Sequence, residues 1–444
     1  MSRTDKAAEF EAGAEQLTSF AVRRLRILFV SLSVPYPPSN GQRMRNWALL
    51  QALAAEGHAL TLLSFAERHD LAEADHALRK TCADVQFVPL PDAARSDALN
   101  YGNRLRAFLS VLPYGVWRYR SEYMTAAIRE AIAQASFDLL ICDDVYLVKN
   151  LPKPVPVPVL LNKHDITHVI LRRYLTHELN PAKLAYGWTE YEKLRNWEAW
   201  ASSNVAAVLA CSEHDRVAIE ALCPKAQVAV VPNSIDVGNC VPKSADDGKT
   251  ILFAGAMDWY PNQDAVSFFI SKILPKLQEL VPDSRFRIAG RCPPEGFRAR
   301  FAGVPSVEFT GTVPDMRPEI TKAAVCVVPL RIGSGTRMKI LEAAAMAKAI
   351  VSTRIGAEGL DFMDDKEIIL ADGPEEFARA IADLLTDPAR RRAMSLAARR
   401  RVEVQYGMPA LRSAIREALA QWTAEPGSVT PRVEFGQVEA GLRP

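Results

Sequence analysis

Several things are missing from this chain, and each absence narrows its chemistry. No apolar run approaches the roughly 18 residues that would mark a membrane span. The formal net charge is only +2, too small to mark a nucleic-acid binder. The 7 cysteines are scattered, with no Cys-X-X-Cys pair and no Cys/His cluster at zinc spacing, so neither a disulfide framework nor a structural zinc is expected. No Asp-X-Asp occurs, which removes the simplest acidic metal pair, and no metal or other cofactor is expected. No full Gly-X-Gly-X-X-Gly follows the first apolar segment, which argues against a nicotinamide dehydrogenase. Residues 1–20 are acidic and Ala-rich, without the cationic start and apolar centre of a signal peptide. Together with the unpaired cysteines, this sets the expectation of a cytoplasmic protein.

What is present is an ordinary globular composition, 49% hydrophobic and 24% charged, over 444 residues, long enough for two domains. Residues 25–33 read as a strand, 34–41 as a loop with three prolines and a glycine, 42–56 as a helix stopped by Gly57, and 58–65 as a strand. Strand, loop, helix, strand opens a parallel doubly wound sheet. Further strands are expected at 85–88, 139–142, 157–161, 205–211 and 228–231, with helices at 124–134, 181–202 and 213–222. Residues 149–158 carry four prolines and must run extended. After a polar stretch at 239–248, a predicted hinge, the rhythm restarts. Strands follow at 250–255, 286–290, 325–330, 350–352 and 367–370, and helices at 261–280, 374–385, 389–406 and 409–422. The expected class is α/β: two Rossmann-like doubly wound domains, 23–238 and 239–408, facing a central cleft. Residues 1–22 and 425–444 read as a mobile and a loose tail.

The most informative stretch is 329–348. A buried strand is broken by Gly333-Ser334-Gly335, where small residues let the backbone turn sharply and approach a ligand. Thr336 is placed to cap a helix over 337–348, which is rich in Ala, Leu, Met and Lys. Strand, glycine loop and helix N-terminus form an anion site, because unpaired amides and the helix dipole point to one place. Arg331, Arg337 and Lys339 add full positive charge, and Glu342 can accept hydrogen bonds from hydroxyls. Read more plainly, a glycine turn before a helix is common, and Lys339–Glu342 is an i, i+3 pair on a solvated face. A loop suited to a diphosphate with a carboxylate downstream fits a nucleotide sugar.

With these residues in view the chain resembles the GT-B-fold retaining glycosyltransferases of family 4, the group 1 glycosyl transferases, in the branch with a Gly-Ser-Gly-Thr-Arg loop. The resemblance runs from about 25 to 422. It is carried by Pro37-Pro-Ser-Asn-Gly41, Ala210-Cys-Ser-Glu-His-Asp215, Val231-Pro-Asn-Ser-Ile-Asp236, Phe253-Ala-Gly-Ala-Met-Asp-Trp-Tyr-Pro-Asn262, Gly333 to Glu342, and Gly356-Ala-Glu-Gly359. It implies a first domain for the acceptor and a second for the activated sugar, with the helix at 409–424 crossing back onto the first. It also implies transfer from a nucleotide-diphosphate sugar to a glycan or lipid-linked acceptor, with retention and without metal, in envelope or exopolysaccharide assembly. Glu342 takes the position of the family's ribose-binding carboxylate. The family's preceding carboxylate falls at Ser334, so the amides of Gly333 to Thr336 are left to hold the donor sugar. The cations that clamp the diphosphate from the loop at 256–262 are absent too, so Arg331, Arg337 and Lys339 would have to compensate.

Other residues keep two readings. Gly41 either lets the first loop pass close to the donor phosphates or simply starts a helix. Arg43 and Arg45 either face the cleft or are solvated. His164, just after a predicted strand, either touches the donor sugar or is a turn residue with a satisfied imidazole; His168 is a lesser candidate. Glu213 and His214 are expected to cap the helix after Cys211, and Asn233 and Asp236 to shape the turn between domains. Residues 103–120 mix basic and aromatic side chains; they either rest on the inner membrane surface or pack internally with solvated arginines. Two other functions stay open: a nucleotide-sugar epimerase on the same fold, and an inactive scaffold.

Overall fold

The computed structural model describes residues 23–67, 71–95, 101–242, 246–291 and 295–423. The two tails read from the sequence lie outside these residues.

The first sheet contains β1 (Arg26–Ser31), β2 (Ala59–Ala66), β3 (Asp84–Pro89), β4 (Leu139–Asp143), β5 (Val159–Asn162), β6 (Ala207–Ala210) and β7 (Val228–Val230). All neighbours are parallel, in the order β3-β2-β1-β4-β5-β6-β7. A parallel strand with helices on both faces must be apolar on both sides, which is why β1 reads as a continuous hydrophobic run. Its residues alternate between two cores. Ile27 and Phe29 pack with Leu49 and Leu53, whereas Leu28 and Val30 pack with Trp197.

The second sheet contains β8 (Thr250–Ala254), β9 (Arg285–Ala289), β10 (Val307–Gly311), β11 (Val325–Val328), β12 (Ala349–Ser352) and β13 (Ile369–Leu370), again all parallel, in the order β10-β9-β8-β11-β12-β13. This is the two-domain Rossmann-like GT-B architecture. The strand order reverses between β1 and β4 in one sheet and between β8 and β11 in the other. Such switch points open a crevice at the carboxyl ends of the strands.

Six helices matter below: α1 (Gly41–Ala55), α2 (Thr167–Leu175), α3 (Pro181–Ser203), α4 (Glu213–Leu222), α5 (Met338–Ala345) and α6 (Met408–Thr423). The last helix, α6, lays Leu411, Ile415 and Leu419 into the core of the first sheet beside Leu49 and Leu53. Arg412 and Arg416 of α6 both reach Glu56, just beyond α1.

Some local expectations differ from the structure. Strand β10 was not expected because Glu308 and Thr310 break up its apolar residues. The helices at Leu71–Thr81, Tyr101–Phe108 and Tyr114–Arg118, and α2 itself, were also missed. The helix expected at 261–280 is three pieces, with a wide turn at Phe269–Ile273. Ser212, not Glu213 or His214, caps α4: its hydroxyl accepts the Asp215 amide at 3.1 Å. Within 103–120, Arg118 turns inward, stacking over Tyr114 and Tyr119 and donating to the Ala94 carbonyl. Leu105, Leu109 and Val111 stay exposed.

Candidate functional site

At the switch point of the first sheet lies Asp143, the last residue of β4 and fully buried. Its carboxylate accepts from Ser31 Oγ at 3.3 Å, the Leu32 amide at 3.2 Å, Gln42 Nε2 at 3.1 Å, Asn46 Nδ2 at 2.7 Å and Asn162 Nδ2 at 3.2 Å. It also pairs with His164 Nε2 at 2.5 Å. Burial works against the charged carboxylate, but the imidazole of His164 and these donors more than offset it, and the pKa of Asp143 is lowered. Burial likewise disfavours the His164 imidazolium, yet the charge of Asp143 prevails and the His164 pKa is raised. The ring is thus held by its Nε2 edge, and Asp143 favours its protonated form. Asp143 was not singled out in the sequence; an acid at the carboxyl end of an apolar run was the signal available.

Arg45 settles its two readings: it is 1% exposed, so it is neither solvated nor at the cleft surface. Its Nε donates to Asn162 Oδ1 at 2.9 Å, and its Nη1 to the Val231 carbonyl at 2.8 Å and to Asn233 Oδ1 at 3.0 Å. His168 is engaged elsewhere, its Nδ1 2.9 Å from Glu198 Oε2, a carboxylate that also takes Lys163 Nζ at 3.1 Å. The acid is spent inside the fold, which makes this a structural cluster.

The second switch point holds the glycine loop after β11. Gly333 has φ +152° and Gly335 φ +74°, backbone that side chains other than glycine rarely adopt. Three successive carbonyls of this loop accept from guanidiniums. The Gly333 carbonyl takes Arg173 Nη1, and those of Ser334 and Gly335 take Arg337 Nη1. Among the described residues no acceptor meets the amides of Gly333 to Met338. Arg337 Nη2 is also buried without a partner. The loop therefore offers a row of unspent donors at the N-terminus of α5.

Helix α5 is shorter than expected. It starts at Met338, with Arg337 as N-cap and no side-chain cap. Thr336 does not cap it, because its hydroxyl accepts Asn233 Nδ2 from the first domain. Lys339 and Glu342 are not a solvated pair either. Lys339 Nζ donates to Asn262 Oδ1 at 3.0 Å and sits 4.0 Å from the centroid of the Phe253 ring. Burial, then the charge of Arg337, lowers the Lys339 pKa to about 7. Burial, aided by Asp315, raises Glu342 to about 7. Two strongly perturbed groups of opposite type on one helix face make this a candidate functional site.

The two switch points face each other. Ile166 donates its amide to Ser334 Oγ at 3.1 Å. A side chain on Gly335 would overlap the His164 carbonyl, and a Cβ on Gly41 would lie 3.6 Å from Met338 Cγ. Gly41 and Met338 are the first residues of α1 and α5, so two positive helix ends converge on the cleft. His164, Gly41, Ser334, Gly335 and Thr336 thus meet where the two domains touch, with Gly333, Arg337 and Lys339 beside them in the same loop and helix and Glu342 a turn further along α5. Arg331 is different: its guanidinium grips Asp264 in a two-point ion pair and lies over the Phe268 ring. Among the described residues no cluster of three or more His, Cys, Asp or Glu side chains could hold a metal ion.

The sequence model described as "Glycosyltransferase Family 4" matches residues 39–239, and that described as "Glycosyl transferases group 1" matches residues 248–387. The chain is a glycosyltransferase of the family 4 kind. The two matches fall on the two domains, one on each. A curated relative, an uncharacterized 44.6 kDa protein in the cps region of Klebsiella pneumoniae, is 22% identical over 377 residues, covering 80% of this chain and 90% of its own. Among solved structures, the sucrose-phosphate synthase of Thermosynechococcus elongatus superposes with a TM-score of 0.64 at 17% identity, over 90% of this chain and 99% of that one. The Anabaena protein HepE, in complex with UDP and glucose, gives 0.61 at 12% identity, over 89% of this chain and all of its own. These likenesses show the same fold. No helix among the described residues of this glycosyltransferase is long and apolar enough to cross a membrane.

Proposed function

We propose that this glycosyltransferase moves a hexosyl group from a nucleoside diphosphate to a glycan or lipid-linked acceptor, with retention and without a metal ion. The observation that carries the reading is the row of acceptor-free amides from Gly333 to Met338, backed by Arg337 and Lys339 and facing His164 across the cleft. Charge grows on the diphosphate as the anomeric C–O bond breaks. Fixed amides and cations stabilise that charge without reorganising. The acceptor oxygen bonds to the anomeric carbon on the face the diphosphate leaves, and its proton passes to the departing phosphate oxygen. The His164 imidazolium, held by Asp143, donates to a donor-sugar hydroxyl. Glu342 accepts from the ribose hydroxyls. The cps-region relative supports a place in capsule or other surface-polysaccharide assembly. HepE with UDP makes uridine the first nucleotide to test.

The test is calorimetry and thermal shift with UDP, GDP and ADP, followed by transfer from the matching sugar conjugate. A ligand at a hundred times its Kd adds about 2.7 kcal/mol to stability and raises the melting temperature. If none of the three binds and no sugar is transferred, the proposal fails.

The pH profile follows from the two shifted groups. The Lys339 cation, lowered to about 7, is lost as pH rises through that value; the Glu342 carboxylate, raised to about 7, is lost as pH falls through it. Because kcat/KM reports the free enzyme, it is expected to be bell-shaped with a narrow maximum near neutrality. Glu342→Gln should remove the acid limb, and Lys339→Arg should move the alkaline limb upward. A flat profile from pH 5.5 to 8.5 would contradict these roles.

A further inference from the structure

The donor loop is not shaped by its own domain alone. Arg173, near the end of α2 in the first domain, spreads a fork across the cleft. Nη1 donates to the Gly333 carbonyl, and Nη1 and Nη2 each meet a carboxylate oxygen of Glu358 at 2.7 Å. Glu358 is held further by His214 Nε2 at 3.2 Å, also from the first domain. The next residue, Tyr174, meets Tyr260 edge to face at 4.9 Å between centroids. The second half of α2 therefore grips the second domain on two sides of the loop.

The consequence follows from the planarity of the peptide unit. In a trans peptide the carbonyl of one residue and the amide of the next point in opposite directions. Arg337 holds the carbonyls of Ser334 and Gly335, which turns the Gly335 and Thr336 amides away from it. Arg173 does the same for the first peptide of the loop: with the Gly333 carbonyl drawn toward α2, the Ser334 amide is aimed the other way. All three amides are without an acceptor among the described residues. A glycine at 333 is required for this arrangement, because a Cβ there would overlap Arg337 Nη2 at a φ of +152°.

We infer that Arg173 is a positioning residue for the donor: it aims the Ser334 amide at the diphosphate, so the donor cradle is complete only when the first domain supplies this guanidinium. The inference rests on the reading of the loop as a diphosphate site. Recognition of the donor is thereby tied to the approach of the two domains, since the same side chain spans both.

The test separates aiming the loop from merely holding the domains together. Arg173→Met should raise donor KM and the Kd for UDP by about ten- to a hundredfold, the usual loss for a hydrogen bond from a charged donor, while acceptor KM is unchanged. Arg173→Glu combined with Glu358→Arg rebuilds the ion pair across the cleft. The melting temperature should recover, but donor KM should not, because a glutamate at 173 has no N–H to give the Gly333 carbonyl. Recovery of donor KM in the exchanged pair, or an unchanged donor KM in Arg173→Met, would overturn the inference while leaving UDP binding by the native protein intact. A native protein that binds no nucleoside diphosphate would overturn the underlying reading as well.

Discussion

Arg337→Met is expected to lower kcat/KM for the donor by about a thousandfold, the scale for removing a fixed donor from developing charge. The effect should exceed that of an ordinary phosphate contact because the side chain has two tasks. Nη1 holds the Ser334 and Gly335 carbonyls, and Nη2 is buried with no partner among the described residues, leaving it available to a ligand. Burial disfavours its charge, and Glu358 and Asp165 only partly counter this. Relief of a desolvated charge with an unspent N–H offsets the loss of the two carbonyl contacts, so the substitution should change the melting temperature little while activity collapses. Steady-state kinetics alongside a thermal melt check both halves. A variant that keeps a tenth of native kcat/KM would remove Arg337 from the proposed role.

Gly335→Ala is expected to abolish donor binding while both sheets stay folded. The residue has φ +74°, where a non-glycine residue costs about 1–2 kcal/mol. Its new Cβ would overlap the His164 carbonyl, which is backbone at the end of β5 and cannot swing aside. The strain is relieved by parting the loop from the first domain, which breaks the Ile166 to Ser334 and Asn233 to Thr336 hydrogen bonds. Calorimetry should show no UDP binding, with far-ultraviolet circular dichroism unchanged. Gly303→Ala, at a position where a Cβ meets open space, is the matched control. Native-like binding by Gly335→Ala would show that the loop does not work in contact with His164.

How much of this was legible in the chain depends on how local the signal is. The central strands announce themselves because they are buried on both faces, so β1, β4, β8 and β11 are unbroken apolar runs. Gly333 and Gly335 are legible because a backbone with positive φ admits little else. Strand β10 is not legible, because half-exposed residues carry a mixed pattern. The role of Thr336 was misread for a similar reason. Its hydroxyl is a good cap by composition, but Asn233, 103 positions earlier in the chain, claims it. Arg173 carries no local mark at all: its partners lie 160 and 185 positions away.

The sequence alone was enough to establish two parallel α/β domains, a glycine-bent loop entering a helix, and an acid one to two turns beyond that loop. Those features follow from short-range rules of burial, backbone freedom and helix polarity. Which charges are spent and which remain available was decided only by the tertiary structure. Asp143 pairs with His164, Asp264 with Arg331, Arg173 takes the Gly333 carbonyl from the other domain, and burial moves the Lys339 and Glu342 pKa values to about 7. The reason is physical: a side chain's charge and free valences depend on desolvation and on partners brought close in space, and distance along the chain does not encode either.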